Sequence, residues 1–224
     1  MSLILCIESS YSICSVAILK EGKLFVTRGQ EIQNHSESII KLIEECLSAA
    51  SIKLKDLNAI ALSDGPGSYT GLRIGASTAK GFCLALNIPL IKLSTLKSLA
   101  WSYMQSNPNY LGLIWPMIDA RRMEVYHAIF NHKLHVIRDV SNGIITEPSF
   151  IPGHIEDQDI VICGDGAMKA GDVLGLPVSD IIPDARNLCN LAEECFNRNE
   201  FVDIANYEPF YLKSANITSK KTSS

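Results

Sequence analysis

The residues best placed to do chemistry stand where two apolar strands run out. Ile7-Glu8 and Ile118-Asp119 each put a carboxylate at a strand end. Two carboxylates facing one cleft could hold Mg²⁺ or divide general acid and base work between them. The alternative is that each caps its own turn or pairs with a nearby arginine, Arg121 being the obvious partner. A second candidate is the run Asp64-Gly65-Pro66-Gly67-Ser68-Tyr69-Thr70-Gly71-Leu72-Arg73-Ile74-Gly75, which joins an apolar strand to a helix. Glycines there permit positive φ and close backbone approach, and N–H groups at a helix start can hold an anion. No Gly-Lys-Ser/Thr follows, so this is not a Walker A loop, and the glycine spacing is not that of a dinucleotide fingerprint. Gly164-Asp165-Gly166 repeats the strand-to-turn junction on a smaller scale.

Metal and thiol chemistry have less support. His35 stands alone, while His127, His132 and His135 gather near one hairpin with no carboxylate to complete a ligand set. They are expected at the surface. The seven cysteines include no C-x-x-C pair, and most sit in apolar segments, as buried reduced thiols of a cytoplasmic protein would. No cofactor is expected.

The elements that must position these residues alternate in type. Leu3–Glu8, Ile13–Leu19 and Lys23–Gly29 read as strands, with Glu21-Gly22 as a hairpin turn. A helix over His35–Ala50 follows, with Asn34 as its N-cap. Asn58–Ser63 is a buried strand. Thr70–Leu86 is a second helix stopped by Asn87-Ile88-Pro89, and Ser94 caps a third. On the second helix Gly71, Gly75, Thr78 and Phe82 share one stripe, and Leu72, Ala76, Ala79, Cys83 and Leu86 share the other. The apolar stripe is expected to face the sheet. The small-residue stripe is expected to face a partner, unless the chain's own second half covers it, so Gly75→Leu should block association.

The plan recurs. Glu8 maps onto Asp119 at an offset of 111, Lys23-Leu24 onto Lys133-Leu134 at 110, and Ile60 onto Ile160 at 100. A duplicated unit of three meandering strands, a helix, a strand and a helix is the plan of the actin-like ATPase superfold, an α/β architecture of two lobes around a cleft. The lobes are expected over residues 1–100 and 101–224. The 224 residues carry a net charge of −4, which implies no broad basic field and only weak nucleic-acid affinity for the lone chain. Local basic spots remain at Arg121-Arg122 and Lys220-Lys221. No apolar run is long enough to span a bilayer.

The run DGPGSYTGLRIG resembles the signature of the TsaB (YeaZ) family of tRNA threonylcarbamoyladenosine biosynthesis. The resemblance extends to residues 4–10 and 15–19, to His35-Ser36-Glu37, to Asp119–Tyr126, to Gly164-Asp165-Gly166 and to the tail Pro209–Lys213. Two positions depart from it: Glu8 stands where Asp is usual, and Lys213 where Arg is commoner. The resemblance implies a non-catalytic scaffold. It would bind and activate a TsaD-like catalytic subunit, join a TsaE-like ATPase in a larger complex, and meet tRNA only there. The modified base is the adenosine next to the anticodon of tRNAs reading ANN codons. Alone, the chain could pair with a second copy.

Within the resemblance, the partner-binding residues are His35, Ile39, Ile43, Tyr69, Gly71, Gly75, Thr78 and Phe82. A vestigial nucleotide cleft would comprise Glu8, Asp119, Arg121, Gly164 and Gly166. The His-x-x-x-His metal pair of the catalytic relative falls on Thr95 and Leu99, and leucine cannot ligate a metal. The phosphate-cradling turn of ATPases of this fold falls on Ser9-Ser10-Tyr11-Ser12, which has no glycine. The competing reading is an independent actin-like ATPase or small-molecule kinase built on Glu8 and Asp119.

Overall fold

Every residue of β1 (Ile4–Glu8) is buried, because this strand lies at the centre of a sheet covered on both faces. The computed structural model describes residues 2–20, 23–29 and 35–213. Around β1 stand β2 (Ser15–Lys20), β3 (Lys23–Arg28), β4 (Ala59–Gly65) and β5 (Leu90–Ser94), in the order β3-β2-β1-β4-β5. β1, β2 and β3 form an antiparallel meander, and β4 and β5 run parallel to β1. The second sheet repeats this with β6 (Leu113–Asp119), β7 (Glu124–Asn131), β8 (Val136–Ile144) and β9 (Ile160–Cys163), in the order β8-β7-β6-β9. There too a meander is followed by a strand parallel to its first member. This is the duplicated actin-like architecture.

The second copy is the reduced one. Where the first has the helix α1 (His35–Ala50) between its third and fourth strands, the second has two short 3-10 turns. After β4 comes the long α2 (Tyr69–Leu86); after β9 comes α4 (Ala167–Leu174), closed by Gly175 at φ +65°. A fifth strand shrinks to one parallel bridge between Ile162 and Val178.

The last helix of each half crosses to the other half. α3 (Thr95–Ser106) lays Leu96, Leu99 and Ala100 on Ile114, Ile118, Ala128 and Phe130 of the second sheet. α5 (Arg186–Asn197) lays Leu188, Cys189, Leu191 and Ala192 on Ile4, Cys6 and Ala61 of the first. α1 and α2 cover the opposite face of the first sheet, where Ile39, Ile43 and Cys46 meet Leu5, Ile7 and Leu62. The division expected near residue 100 therefore falls inside α3, and the first sheet is completed by residues from the end of the chain.

The ends of α2 follow from sequence. Ser68 caps it, its hydroxyl accepting from Gly71 N at 3.3 Å, a device worth about 1 kcal/mol. Asn87 ends it in the left-handed region at φ +54°, which asparagine tolerates better than most residues. Ser94 likewise caps α3 by accepting from Lys97 N. Asn34 and the Glu21-Gly22 turn lie outside the described residues. Among the described residues no helix is long and apolar enough to cross a membrane.

Candidate functional site

The glycine run closes the site from within. A side chain at Gly71 would put its Cβ 2.0 Å from Ser9 O, and one at Gly67 would lie 2.4 Å from Ser10 O. At Gly75 the Cβ would meet Ser9 Oγ at 2.2 Å. The glycines thus let the first turns of α2 rest directly on the Ser9-Ser10 turn that follows β1. The helix start is satisfied by the chain itself: Ser68 N donates to Ser10 O at 2.7 Å and Gly71 N to the Ser68 hydroxyl. Those N–H groups are spent on the fold, so the anion site open to the sequence is not formed by them.

This geometry corrects the orientation expected for α2. Gly71 and Gly75 are buried against Ser9, and Phe82 packs partly buried on the core shared with α1. Ile39 and Ile43, expected at a partner surface, are buried in that same core. Thr78 is half-buried at its margin. The side chain of His35 lies outside the described residues. The apolar stripe of Leu72, Ala76, Ala79 and Cys83 does face inward. The open face of α2 lies on the side away from both stripes, on Thr70, Arg73, Ser77, Gly81 and Leu84. Leu84 is 68% exposed, and a Cβ at Gly81 would meet nothing within 4 Å. Ile40, on the outer side of α1, is 39% exposed. A glycine four residues after a serine and three before a leucine was the signal for this face, obscured because the neighbouring stripe is equally small.

The two carboxylates do not form a pair. Glu8 is fully buried, and its Oε1 accepts from Ser10 N and from Ser63 Oγ, each at 2.7 Å. Burial pushes its carboxyl pKa up, against the pull of those hydrogen bonds. Asp119 is half-exposed; its Oδ1 accepts from Arg121 N at 2.7 Å and pairs with the Lys169 ammonium. The expected partnership with Arg121 is therefore made by its backbone, with the guanidinium left outside. Asp165, which sequence reasoning passed over, sits within electrostatic reach of both Asp119 and Glu8 and accepts from Asp119 N. Burial, with Asp119 and Glu8 adding to it, raises its pKa to about 6.

Gly164 and Gly166 bring their turn hard against β6. Gly164 has φ +99° and would place a Cβ 2.2 Å from Met117 O; Gly166 would place one 3.1 Å from Asp119 N. Gly65 ends β4 in the same way at φ +111°, with the Phe210 carbonyl 2.6 Å from its would-be Cβ. Thr95 and Leu99 are buried between α3 and its surroundings. Among the described residues no three His, Cys, Asp or Glu side chains converge as metal ligands.

His127 is not at the surface, contrary to expectation. It is fully buried; Trp115 Nε1 donates to its Nδ1 at 3.0 Å, and its Nε2 lies 3.3 Å from Ser141 Oγ. Phe150 stacks on Trp115 at 5.8 Å and meets the imidazole edge-on. The indole donor fixes the neutral tautomer with hydrogen on Nε2. All seven cysteines are free, and only Cys195 is not fully buried.

The tail completes the picture. The Tyr207 hydroxyl donates to Asp64 Oδ1, Phe210 N donates to Asp64 O, and Tyr211 packs tilted against Tyr69 with ring centroids 4.8 Å apart. Lys213 then pairs with Glu124 at the start of β7.

The region from α1 through β8 is also the region other proteins share. Residues 30–149, more than half of the chain, match the family model described as TsaD: tRNA N6-adenosine threonylcarbamoyltransferase. Over almost its whole length the chain is similar to the tRNA threonylcarbamoyladenosine biosynthesis protein TsaB of Escherichia coli, with 29% identity covering 97% of each chain. The chain belongs to the TsaB (YeaZ) family. The TsaB protein of Bacillus subtilis is 33% identical over 61% of this chain and 58% of its own. Among solved structures, YeaZ from Pseudomonas aeruginosa superposes with a TM-score of 0.75 at 26% identity, covering 95% of this chain and 100% of that one. A second P. aeruginosa structure, described as similar to peptidase YEAZ, reaches a TM-score of 0.80 with the same identity and coverage. The similarity to the tRNA N6-adenosine threonylcarbamoyltransferase of Phocaeicola vulgatus is 33% but spans only 43% of this chain and 33% of that protein. The E. coli TsaB thus aligns across both sheets, and this transferase relative over less than half of the chain.

Proposed function

We propose that this chain is a non-catalytic accessory subunit in the biosynthesis of threonylcarbamoyladenosine on tRNA. It binds and activates a TsaD-like catalytic subunit, within a larger complex that holds a TsaE-like ATPase and the tRNA. The observation that carries the reading is the open face of the α1–α2 pair. Leu84 and Ile40 present aliphatic side chains to solvent, with Ser77 and Gly81 leaving room for a helix to come close. Burying one leucine at such a contact is worth about 1.5–3 kcal/mol, and a glycine beside it admits the partner's backbone.

The non-catalytic part of the reading rests on the cleft. Glu8 is committed to Ser10 and Ser63, Asp119 to Lys169 and its own turn, and the Ser9-Ser10 turn is packed on the α2 glycines. The residues at the two metal-ligand positions of the catalytic relative, Thr95 and Leu99, are buried. No feature of the cleft favours an independent ATPase or kinase. The test is a reconstituted threonylcarbamoyl transfer to tRNA. The chain alone gives no product, the TsaD-like protein alone gives little, and the mixture gives full turnover. Robust transfer by this chain alone would contradict the reading.

A further inference from the structure

A band of tyrosines and arginines runs across the molecule from the start of α2 to the β6–β7 turn. Tyr69, 37% exposed, pairs with Tyr211 of the tail at 4.8 Å and an interplanar angle of 43°. The Arg73 guanidinium lies 5.4 Å from the Tyr69 ring and donates to its hydroxyl at 3.2 Å. Phe210, next along the tail, is 42% exposed. Three residues on, Lys213 crosses to Glu124, and the Tyr126 hydroxyl is within electrostatic reach of Lys213, Glu124 and Arg121. Arg121 and Arg122 stand exposed at the turn, both at positive φ, 72° and 51°.

The charge in this band is not balanced. Glu124 is taken by Lys213 and Asp119 by Lys169. Glu208 remains exposed near Tyr211. Against it stand Arg73, Arg121 and Arg122, with no ion pair to any of them among the described residues. A surplus of unpaired arginine beside the partly exposed rings of Tyr69 and Phe210 and the half-buried Tyr211, in a chain of net charge −4, matches the chemistry of unpaired nucleotides. Phosphates take the cations and bases stack on the rings. An acidic protein surface would use the arginines but has no need of the aromatic rings beside them.

We infer that this band is an RNA-docking surface, in which Tyr69 and Tyr211 stack loop nucleotides and Arg73, Arg121 and Arg122 hold their phosphates. The inference rests on the tRNA-modification reading for its ligand, and it makes these five residues positioning residues for the tRNA substrate. Because Tyr69 and Tyr211 stand 142 positions apart in the chain, the platform exists only when the tail is seated on the glycine turn.

The probe is a fluorescent anticodon stem-loop RNA, titrated into the full chain at several salt concentrations. Association with the TsaD-like protein is followed in parallel by size exclusion. One variant combines Arg73→Gln, Arg121→Asn and Arg122→Asn, asparagine being chosen because it tolerates positive φ; the other combines Tyr69→Leu and Tyr211→Leu. The wild-type chain binds the RNA weakly at low salt. Removing three phosphate contacts lowers affinity at least tenfold and flattens the log–log salt slope by about 2, at about 0.7 per phosphate on single strands. The tyrosine variant loses about tenfold with its slope unchanged. Both variants still co-elute with the partner, because the contact proposed for it centres on Gly81 and Leu84, two helical turns along α2 from Arg73 and further from Tyr69, and Tyr69 is reassigned here from that contact to RNA. RNA affinity within twofold of wild type in either variant overturns the inference, as does an absence of wild-type binding at low salt. Loss of co-elution with RNA affinity unchanged assigns the band to a protein instead. Should the wild type fail to associate with the TsaD-like protein while RNA binding still depends on the band, the proposed function fails and this inference stands.

Discussion

The Tyr207 hydroxyl donates to Asp64 Oδ1 over 2.9 Å, joining two buried residues 143 positions apart. The bond locks the tail over the first turn of the glycine run, where Phe210 N also donates to Asp64 O and Lys80 Nζ reaches Tyr207 O at 3.0 Å. Lys92, 3.7 Å from Asp64 Oδ2, is the cation of the set. Tyr207→Phe removes one donor to a buried carboxylate. It should cost about 1.5–3 kcal/mol, read as a lower midpoint in urea. Limited proteolysis should cut after residue 200 sooner than in the wild type. A variant as stable and as resistant as wild type would show the tail to be held by other contacts.

Gly75 and Gly81 lie on one helix but should respond in opposite ways. Gly75→Ala sets a methyl 2.2 Å from Ser9 Oγ and 3.2 Å from Ser9 Cβ; overpacking of this kind costs about 1–3 kcal/mol. Among the described residues the Ser9 hydroxyl has no hydrogen-bond partner, so Ser9→Ala alone should be nearly neutral and should recover part of the loss in the double variant. Gly81→Ala points into open space and should stabilise the helix by up to about 1 kcal/mol. Thermal melts of the four variants check this. Additive losses at Ser9 and Gly75 would mean that the two do not meet.

Much of this fold can be read from sequence, for identifiable reasons. Two hairpins ending in Glu8 and Asp119 repeat because two meanders repeat, and Ser94 and Asn87 mark helix ends because their side chains or backbone do so locally. The inward face of α2 could not be read. Both of its stripes are small or apolar, and only the Ser9 turn, sixty-odd residues earlier in the chain, decides that Gly75 is inside. His127 was misjudged because a register shift interrupts the alternation between His127 and Ile129 and because its indole partner stands on another strand. The crossing of α3 and α5 left no local trace, since an amphipathic helix does not record which sheet it covers.

The buried His127 and the half-buried Asp165 should tilt stability with pH in opposite directions. Burial, and then the nearby Arg138, lowers the His127 pKa from 6.5 to about 4. The unfolded chain then binds more protons between those values, so this stabilisation is present above 6.5 and lost as pH falls towards 4. Protonation would also set two donors against each other at Trp115. Asp165 is raised from 3.8 to about 6; its contribution is present below 3.8 and lost as pH rises through 6. Melting temperatures across pH 4–8 should therefore lose their acid-side fall in His127→Gln. Asp165→Asn keeps the acceptor for Asp119 N and should gain more at pH 8 than at pH 5. Parallel curves for wild type and both variants would remove these residues from the account.

On the proposed function the outward face of α2 meets the TsaD-like subunit, and Gly81→Leu probes that contact. A Cβ at Gly81 meets nothing within 4 Å among the described residues and the position is exposed, so the variant should melt no lower than wild type. Light scattering coupled to size exclusion, on equimolar mixtures with the TsaD-like protein, should show a 1:1 heterodimer for the wild type. For Gly81→Leu, and for Leu84→Glu, it should show two separate monomer masses. A folded Gly81→Leu chain that still elutes as a full heterodimer would contradict the account.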